Sequence, residues 1–522
     1  MRTVRSYALI CVGLGLGLGA WASCDGQSAG PPALAFPAGF HFGAATAAHQ
    51  LEGDNANNNW HQFETLPGFA GKTREPSGKA VDGYRQFDGD AALVQELGLS
   101  HYRFSIEWSR VEPKRGVFSE EALAHYDAVL DSLKRRGIRP TVTLHHFTDP
   151  VWVFDLRELE GCMSATPPIR DENLCGWTNP TVVEEWLKFV EKVVARYGDR
   201  VDTWVTFNEP MAFIPLGYLY GAFPPGLAGQ SVPEVVVPLI RNVVEAHARA
   251  YDLIKRLDQK DADGDGTSSF VGLAQSVSWW VPADAKNAEH RAAAEQGEYF
   301  SQLLMVDALA KGGLDTNLDG TPDEAHPSWK GKQDFVGLQY YYVSATTKMT
   351  IFPPLTYAPC NGLIESVVPG ALKLMKCPTP DPNKLTLMGY EHEPQGLYQV
   401  GKAFAKRFPA LPLVITENGI STRSGKRRAE SLVRHLEQAH RLVAEGVDLR
   451  GYYHWALLDN YEWTLAFEQP FGLYRVDRTS MRRIATEGAD AYRAVTLAGG
   501  VVTEELRRLY GGEGPLTPEP TR

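Results

Sequence analysis

The sequence predicts an α/β chain closed into a single (β/α)8 TIM barrel with long loop insertions, and three observations carry that expectation. Short β-like runs alternate with amphipathic helical runs along nearly the whole chain. Two of those runs, in VDTWVTFNEP (201–210) and PLVITENG (412–419), end in a carboxylate, Glu209 and Glu417, at the lip where a barrel strand meets the pocket above it. No linker rich in serine, glycine or proline divides the middle of the 522 residues, so one large domain is expected. An open doubly wound sheet is the alternative, disfavoured because no glycine-rich phosphate turn follows the first strand run.

In chain order, strands are expected at 41–46, 101–106 and 139–144, short runs of apolar and β-branched residues. Residues 120–136 carry apolar side chains at three-and-four spacing and read as a helix. A helix at 180–197 opens on Pro180, which suits a first turn, and leads to the fourth strand at 201–207. A helix at 233–257, opening on Pro233, precedes the fifth strand at 269–277, and one at 287–311 precedes the sixth at 335–341. Helices at 395–406 and 428–445 precede the last two strands, 413–416 and 451–455.

The N-terminus carries Arg2 and Arg5, an apolar glycine-rich stretch over 7–20, and small residues at Ala22 and Ser23, which predicts a secretory leader over 1–23. Ala22-Ser23-Cys24 resembles the processing site of a bacterial lipoprotein, with lipid on Cys24; cleavage after Ala22 is the alternative. No later stretch reaches the roughly 18 apolar residues of a spanning helix. The chain is expected to be exported, as a periplasmic, cell-surface or secreted protein, touching membrane only through an anchor on Cys24. A short tether over 24–35 leads to the catalytic domain at 36–510, and the Pro-, Glu- and Thr-rich 511–522 reads as a disordered tail.

Of six cysteines, Cys11 leaves with the leader and Cys24 ends it. Cys162 with Cys175, and Cys360 with Cys377, each close a short polar loop and fit two local disulfides in an oxidising compartment. The formal charge of −11 becomes two units more negative without Arg2 and Arg5, and no basic stripe is present to meet nucleic acid. Twelve Trp and 21 Tyr offer flat faces of the kind that sugar rings stack on. Two acidic loops, Asp261-x-Asp263-x-Asp265-Gly and Asp315-x-Asn317-x-Asp319-Gly, place oxygen ligands at alternate positions as calcium turns do. Neither has a Glu at the twelfth position, where Gly272 and His326 stand, so structural calcium and plain solvated turns are both open.

Taken together, the strand ends carry a polar set: Gln50, Arg103, His146, Asn208, Glu209, Tyr341, Glu417, Trp455, Glu462 and Trp463. Around them lie FPAGFHFGAATAAHQLEG (36–53), YRFSIEWSRVEP (102–113), TLHHFTDP (143–150), TFNEP (206–210), GYLYGAFPPG (217–226), ITENG (415–419) and HWALLDNYEW followed by FGLYRVD. With these motifs in this order, from Phe36 to about Asp477, the chain resembles glycoside hydrolase family 1, the retaining β-glucosidase family.

The resemblance implies Glu209 as general acid/base and Glu417 as nucleophile, with Arg103 and Tyr341 keeping Glu417 anionic. It implies a sugar clamp in which Gln50 and Glu462 share the 3- and 4-hydroxyls, His146 takes the 3-hydroxyl and Asn208 the 2-hydroxyl. Trp455 would be a stacking floor and Trp463 an indole donor. The physics agrees: a retaining pair stands about 5–5.5 Å apart, and like charges that close cannot both ionise, so one pKa must rise. Departures from the family pattern are Gln339 for Asn, expected to loosen positioning around Tyr341, Phe147 for Trp, and Ala466 and Pro470 on the aglycone-side loop. Glu462 with Gln469 argues against a 6-phosphoglycosidase, since a carboxylate there would repel phosphate.

The implied activity is exo-acting release of terminal β-D-glucose, or galactose or fucose, from oligosaccharides or glycosides, with a carbohydrate as the partner and no cofactor required for catalysis. A catalysis-deficient sugar-binding member and a transglycosidase on the same scaffold are the alternatives.

Overall fold

The computed structural model describes residues 31–520 apart from 165, 166, 168, 368 and 369. Eight parallel strands close into a barrel: β1 His41–Ala45, β2 His101–Ser105, β3 Arg139–His145, β4 Thr203–Asn208, β5 Phe270–Pro282, β6 Phe335–Lys348, β7 Leu413–Asn418 and β8 Leu449–Trp455. Neighbours in sequence are neighbours in the sheet, and the ring closes where β8 pairs with β1, from Gly451 opposite His41 to Trp455 opposite Ala45. All eight expected strands are present. β5 and β6 run well past their expected ends, as a ribbon standing above the rim.

One helical segment follows each strand: α1 Gly83–Glu96, α2 Glu120–Arg135, α3 Thr181–Tyr197, α4 Val237–Leu257, α5 spanning 288–311, α6 Gln395–Arg407, α7 Gly425–Ala444 and α8 Glu487–Leu497. Their boundaries have local causes. The Ser119, Ser424 and Thr486 hydroxyls accept the backbone N–H of Ala122, Arg427 and Ala489 at the starts of α2, α7 and α8. On α3, Val182, Val183, Trp186, Phe189, Val190, Val193 and Val194 form one buried stripe against the barrel. The expected helices at 233–257 and 287–311 are interrupted by π turns, Val232–Val236 before α4 and Tyr299–Leu303 within α5. α1 and α8 were not expected, because Gly, Asp and Ala dilute their apolar stripes.

Both expected disulfides form, Cys162–Cys175 and Cys360–Cys377, with Cα atoms 5.1 and 5.5 Å apart. No described helix is long and apolar enough to cross a membrane. The expected leader over 1–23 and Cys24 lie outside the described residues. Two expectations at the termini are corrected. The end of the tether forms a strand, with Leu34 and Ala35 pairing Val502 and Val501. Residues 511–520 are not a free tail: Leu516 is buried, the Thr517 N–H donates to Glu430 at 2.7 Å, and Glu519 pairs with Arg427 at 3.5 Å.

Candidate active site

The pocket at the C-terminal rim is where the chemistry-bearing side chains converge. Glu209 follows β4 directly, with φ 41° and ψ 57°, and the helix Pro210–Tyr218 starts at the next residue. A left-handed backbone costs a non-glycine residue roughly 1–2 kcal/mol. Here it turns the chain sharply, its N–H donating to the Ala274 carbonyl at 2.8 Å, so that Glu209 faces the cleft. Glu417 sits near the end of β7, its Cα paired in register with Gln339 on β6.

Glu417 is held by three donors. Arg103, fully buried in the middle of β2, donates to its Oε1 at 2.6 Å, Gln339 donates to the same oxygen at 2.7 Å, and the Tyr341 hydroxyl donates to Oε2 at 2.7 Å. Arg103 and Gln339 also both donate to Asn208 Oδ1, at 2.5 and 2.7 Å. Asn208, the neighbour of Glu209, is thus tied to the group that orients Glu417. Thr143 fixes the other edge of the guanidinium, accepting from Arg103 Nε at 3.0 Å.

Electrostatics separates the two acids. Burial pushes the Glu209 pKa well up, and the nearby Glu417 charge adds to it, opposed by a hydrogen bond to Ser276. Burial also raises Glu417, but the Arg103 charge and the bonds from Tyr341 and Arg103 oppose it. Glu209 therefore holds the proton and Glu417 the charge. Burial likewise keeps Tyr341 a neutral donor and holds the His146 pKa well below its ordinary value, leaving a neutral imidazole.

Gln50, His146, Asn208, Glu209, Tyr341, Glu417, Trp455, Glu462 and Trp463 all line this one cleft, with Arg103 beneath it. Gln50 donates to the Tyr461 carbonyl at 2.8 Å and to Glu462 Oε2 at 3.4 Å, fixing β1 against the loop after β8. The His146 ring lies nearly parallel to Trp455 and Trp463, centroids 6.1 and 6.0 Å away. Burial and the Glu417 charge push Glu462 up to about 8.

Gln339 corrects one expectation: its amide does not loosen the site but bridges Asn208 and Glu417. Thr143 and Ser276 were not anticipated at all. The two-residue period that puts Gln339 and Tyr341 on one face of β6 was the available signal. Gln469 is buried and accepts from the Ser421 hydroxyl at 2.8 Å.

The acidic loops are sorted differently from the sequence reading. Asp261 and Asp263 come together with Asp202, a residue the sequence did not single out, with ligand atoms within 4.8 Å of one another, and Asp265 is not part of that group. In the second loop, Asp315 accepts the backbone N–H of Asp319 and Gly320, and Asn317 accepts that of Asp319. Among the described residues no three-ligand acidic group forms around Asp315, Asn317 and Asp319. Both loops lie outside the cleft lining.

Residues 33–500 match the sequence model described as glycosyl hydrolase family 1. A β-galactosidase of Pyrococcus woesei is 30% identical over 91% of this chain and 100% of its own length. The β-glucosidase A of Thermotoga maritima is 29% identical over 89% of this chain and 98% of its own. Among solved structures, a β-glycosidase from Pyrococcus horikoshii superposes with a TM-score of 0.76 at 31% identity, covering 92% of this chain and 99% of that one.

Proposed function

The chain belongs to glycosyl hydrolase family 1, and from that premise we propose that it is a retaining, exo-acting β-glycosidase that removes terminal β-D-glucosyl residues. The observation that carries the reading is the asymmetry of the two acids: Glu417 is held by Arg103, Gln339 and Tyr341, whereas Glu209 forms no ion pair with a described Lys or Arg. In the first step Glu417 attacks the anomeric carbon while Glu209 protonates the glycosidic oxygen, and the aglycone leaves. In the second, Glu209 takes a proton from water, the water oxygen bonds to the anomeric carbon, and the bond to Glu417 breaks. Asn208, held in place by Arg103 and Gln339, is positioned for the 2-hydroxyl, where contact strengthens in the transition state. Gln50, His146 and Glu462 suit the remaining hydroxyls, and Trp455 the sugar face. Two disulfides support an oxidising, exported location.

Hydrolysis of p-nitrophenyl β-D-glucoside tests the proposal; absence of turnover by the folded protein, on the galactoside as well, removes it. Glu209→Gln is expected to lower kcat/KM on an alkyl glucoside by about 10²–10⁴-fold, and azide is expected to restore turnover to Glu417→Gly.

A further inference from the structure

The sugar clamp is built around the ends of β1, β3, β4 and β8; the opposite half of the cleft has a different construction. There β5 and β6 continue beyond the rim as a ribbon, with Trp280 opposite Ser344 and Pro282 opposite Thr346. The edge strand Tyr357–Cys360 lies antiparallel on the outer end of β6, from Tyr357 opposite Lys348 to Cys360 opposite Ala345. Alternate residues of a strand share a face. Those that line the cleft are Ser276, Ser278 and Trp280 on β5, then Tyr357, Pro359 and Asn361 on the edge strand and the residue after it.

This wall carries aromatic rings and no charge. Besides Glu209, Glu417 and Glu462, no Asp, Glu, Lys or Arg lines the cleft among the described residues. Trp280 meets Tyr357 edge-on at 5.5 Å, and Tyr342 lies 4.8 Å from Tyr390. Some of its polar atoms are already engaged, the Ser301 and Tyr357 hydroxyls sharing a bond at 3.3 Å and Asn361 Oδ1 accepting the Ile364 N–H at 3.1 Å, while the buried Trp280 indole N–H has no partner. A second pyranose would bring several hydroxyls to a surface with few free partners, and desolvating them unpaired is costly. A flat apolar group brings no hydroxyls that need partners, and it stacks.

The wall is fastened from behind. Cys360, between two lining positions, faces the other way and bonds Cys377. Ala358, Ala371 and Met375 pack behind it in a small core of their own, and Thr347 donates to the Met375 carbonyl at 3.0 Å.

We propose that this half of the cleft is a slot for flat apolar aglycones, aryl and arylalkyl groups in preference to a second sugar, and that Cys360–Cys377 holds its wall in place; this rests on the glycosidase reading above. The test compares kcat/KM for 2-phenylethyl β-D-glucoside, cellobiose and β-D-glucosyl fluoride. The first two release unactivated alcohols, so bond chemistry does not decide between them, and the fluoride reports the glycone half alone. The phenylethyl glucoside is expected to exceed cellobiose by about tenfold, the size of one aromatic stack. Tyr357→Ala and Cys377→Ser are expected to lower the phenylethyl-to-fluoride ratio about five- to tenfold, and Tyr357→Phe to keep it. Cellobiose turned over as well as or better than the phenylethyl glucoside overturns the slot, as does a ratio unmoved in both Tyr357→Ala and Cys377→Ser. Turnover of neither β-glucosyl nor β-galactosyl fluoride removes the glycosidase reading instead.

Discussion

Tyr341 and Glu462 are the side chains whose protonation most directly shapes the site. The Tyr341 hydroxyl donates to the charged form of Glu417 at 2.7 Å and so lowers its pKa. Catalysis needs Glu417 ionised, so activity falls as pH drops through its pKa. Tyr341→Phe is expected to move that acidic limb of the kcat/KM profile to higher pH, while the basic limb, set by Glu209, moves little. For Glu462 the sign concerns stability. Its pKa rises from 4.5 to about 8 on folding. The unfolded chain therefore ionises first, and folding stability is lost as pH climbs from about 4.5 to 8. Glu462→Gln is expected to raise Tm at pH 8, to leave it unchanged at pH 4, and to weaken sugar binding; an equal gain at both pH values would contradict the linkage. Nine of the ten polar-set residues named from the sequence line one cleft and Arg103 lies beneath it, and what marked them out was the run of family motifs around them. Gln339 was misread and Thr143 unread, because a buried amide and a β-branched residue inside a strand look like ordinary packing until their partners are known.

At the scale of elements, the strands were easier to read than the loops that surround the cleft. Parallel barrel strands are buried on both faces and announce themselves as apolar runs, and all eight were found. The helices α1 and α8 were not, because their helicity depends on packing more than on a strong apolar stripe. The extensions of β5 and β6 were also missed, since Trp279 and Trp280 pair only with Val343 and Ser344 above the rim. Cysteine spacing, by contrast, was enough to find both cross-links. Cys162–Cys175 encloses a separation of 13 residues in the loop after β3. Replacing both cysteines with serine is expected to cost about 3 kcal/mol by loss of chain constraint, read as a lower Tm, with kcat/KM changed less than by Cys377→Ser because no described residue from 162 to 175 lines the cleft, whereas Pro359 and Asn361 beside Cys360 do.

At the scale of the molecule, the C-terminal residues are part of the fold rather than an appendage. Composition alone made 511–522 look disordered, but Arg427, Glu430 and Arg434 on α7 supply partners for Glu519, Thr517 and the Gly514 carbonyl. Removing residues 511–522 is expected to lower Tm by a few degrees, since Arg427 is buried and loses its carboxylate; an unchanged Tm would mean the contacts carry no net energy. The ring itself closes late. Gln50, near the start of the barrel, reaches Glu462, 412 positions further on, and β1 has no second neighbour until β8 arrives. A growing polypeptide on the ribosome therefore carries both acids before it owns a place to put a sugar. A chain that stops short of Glu462 holds both acids and an unfinished cleft.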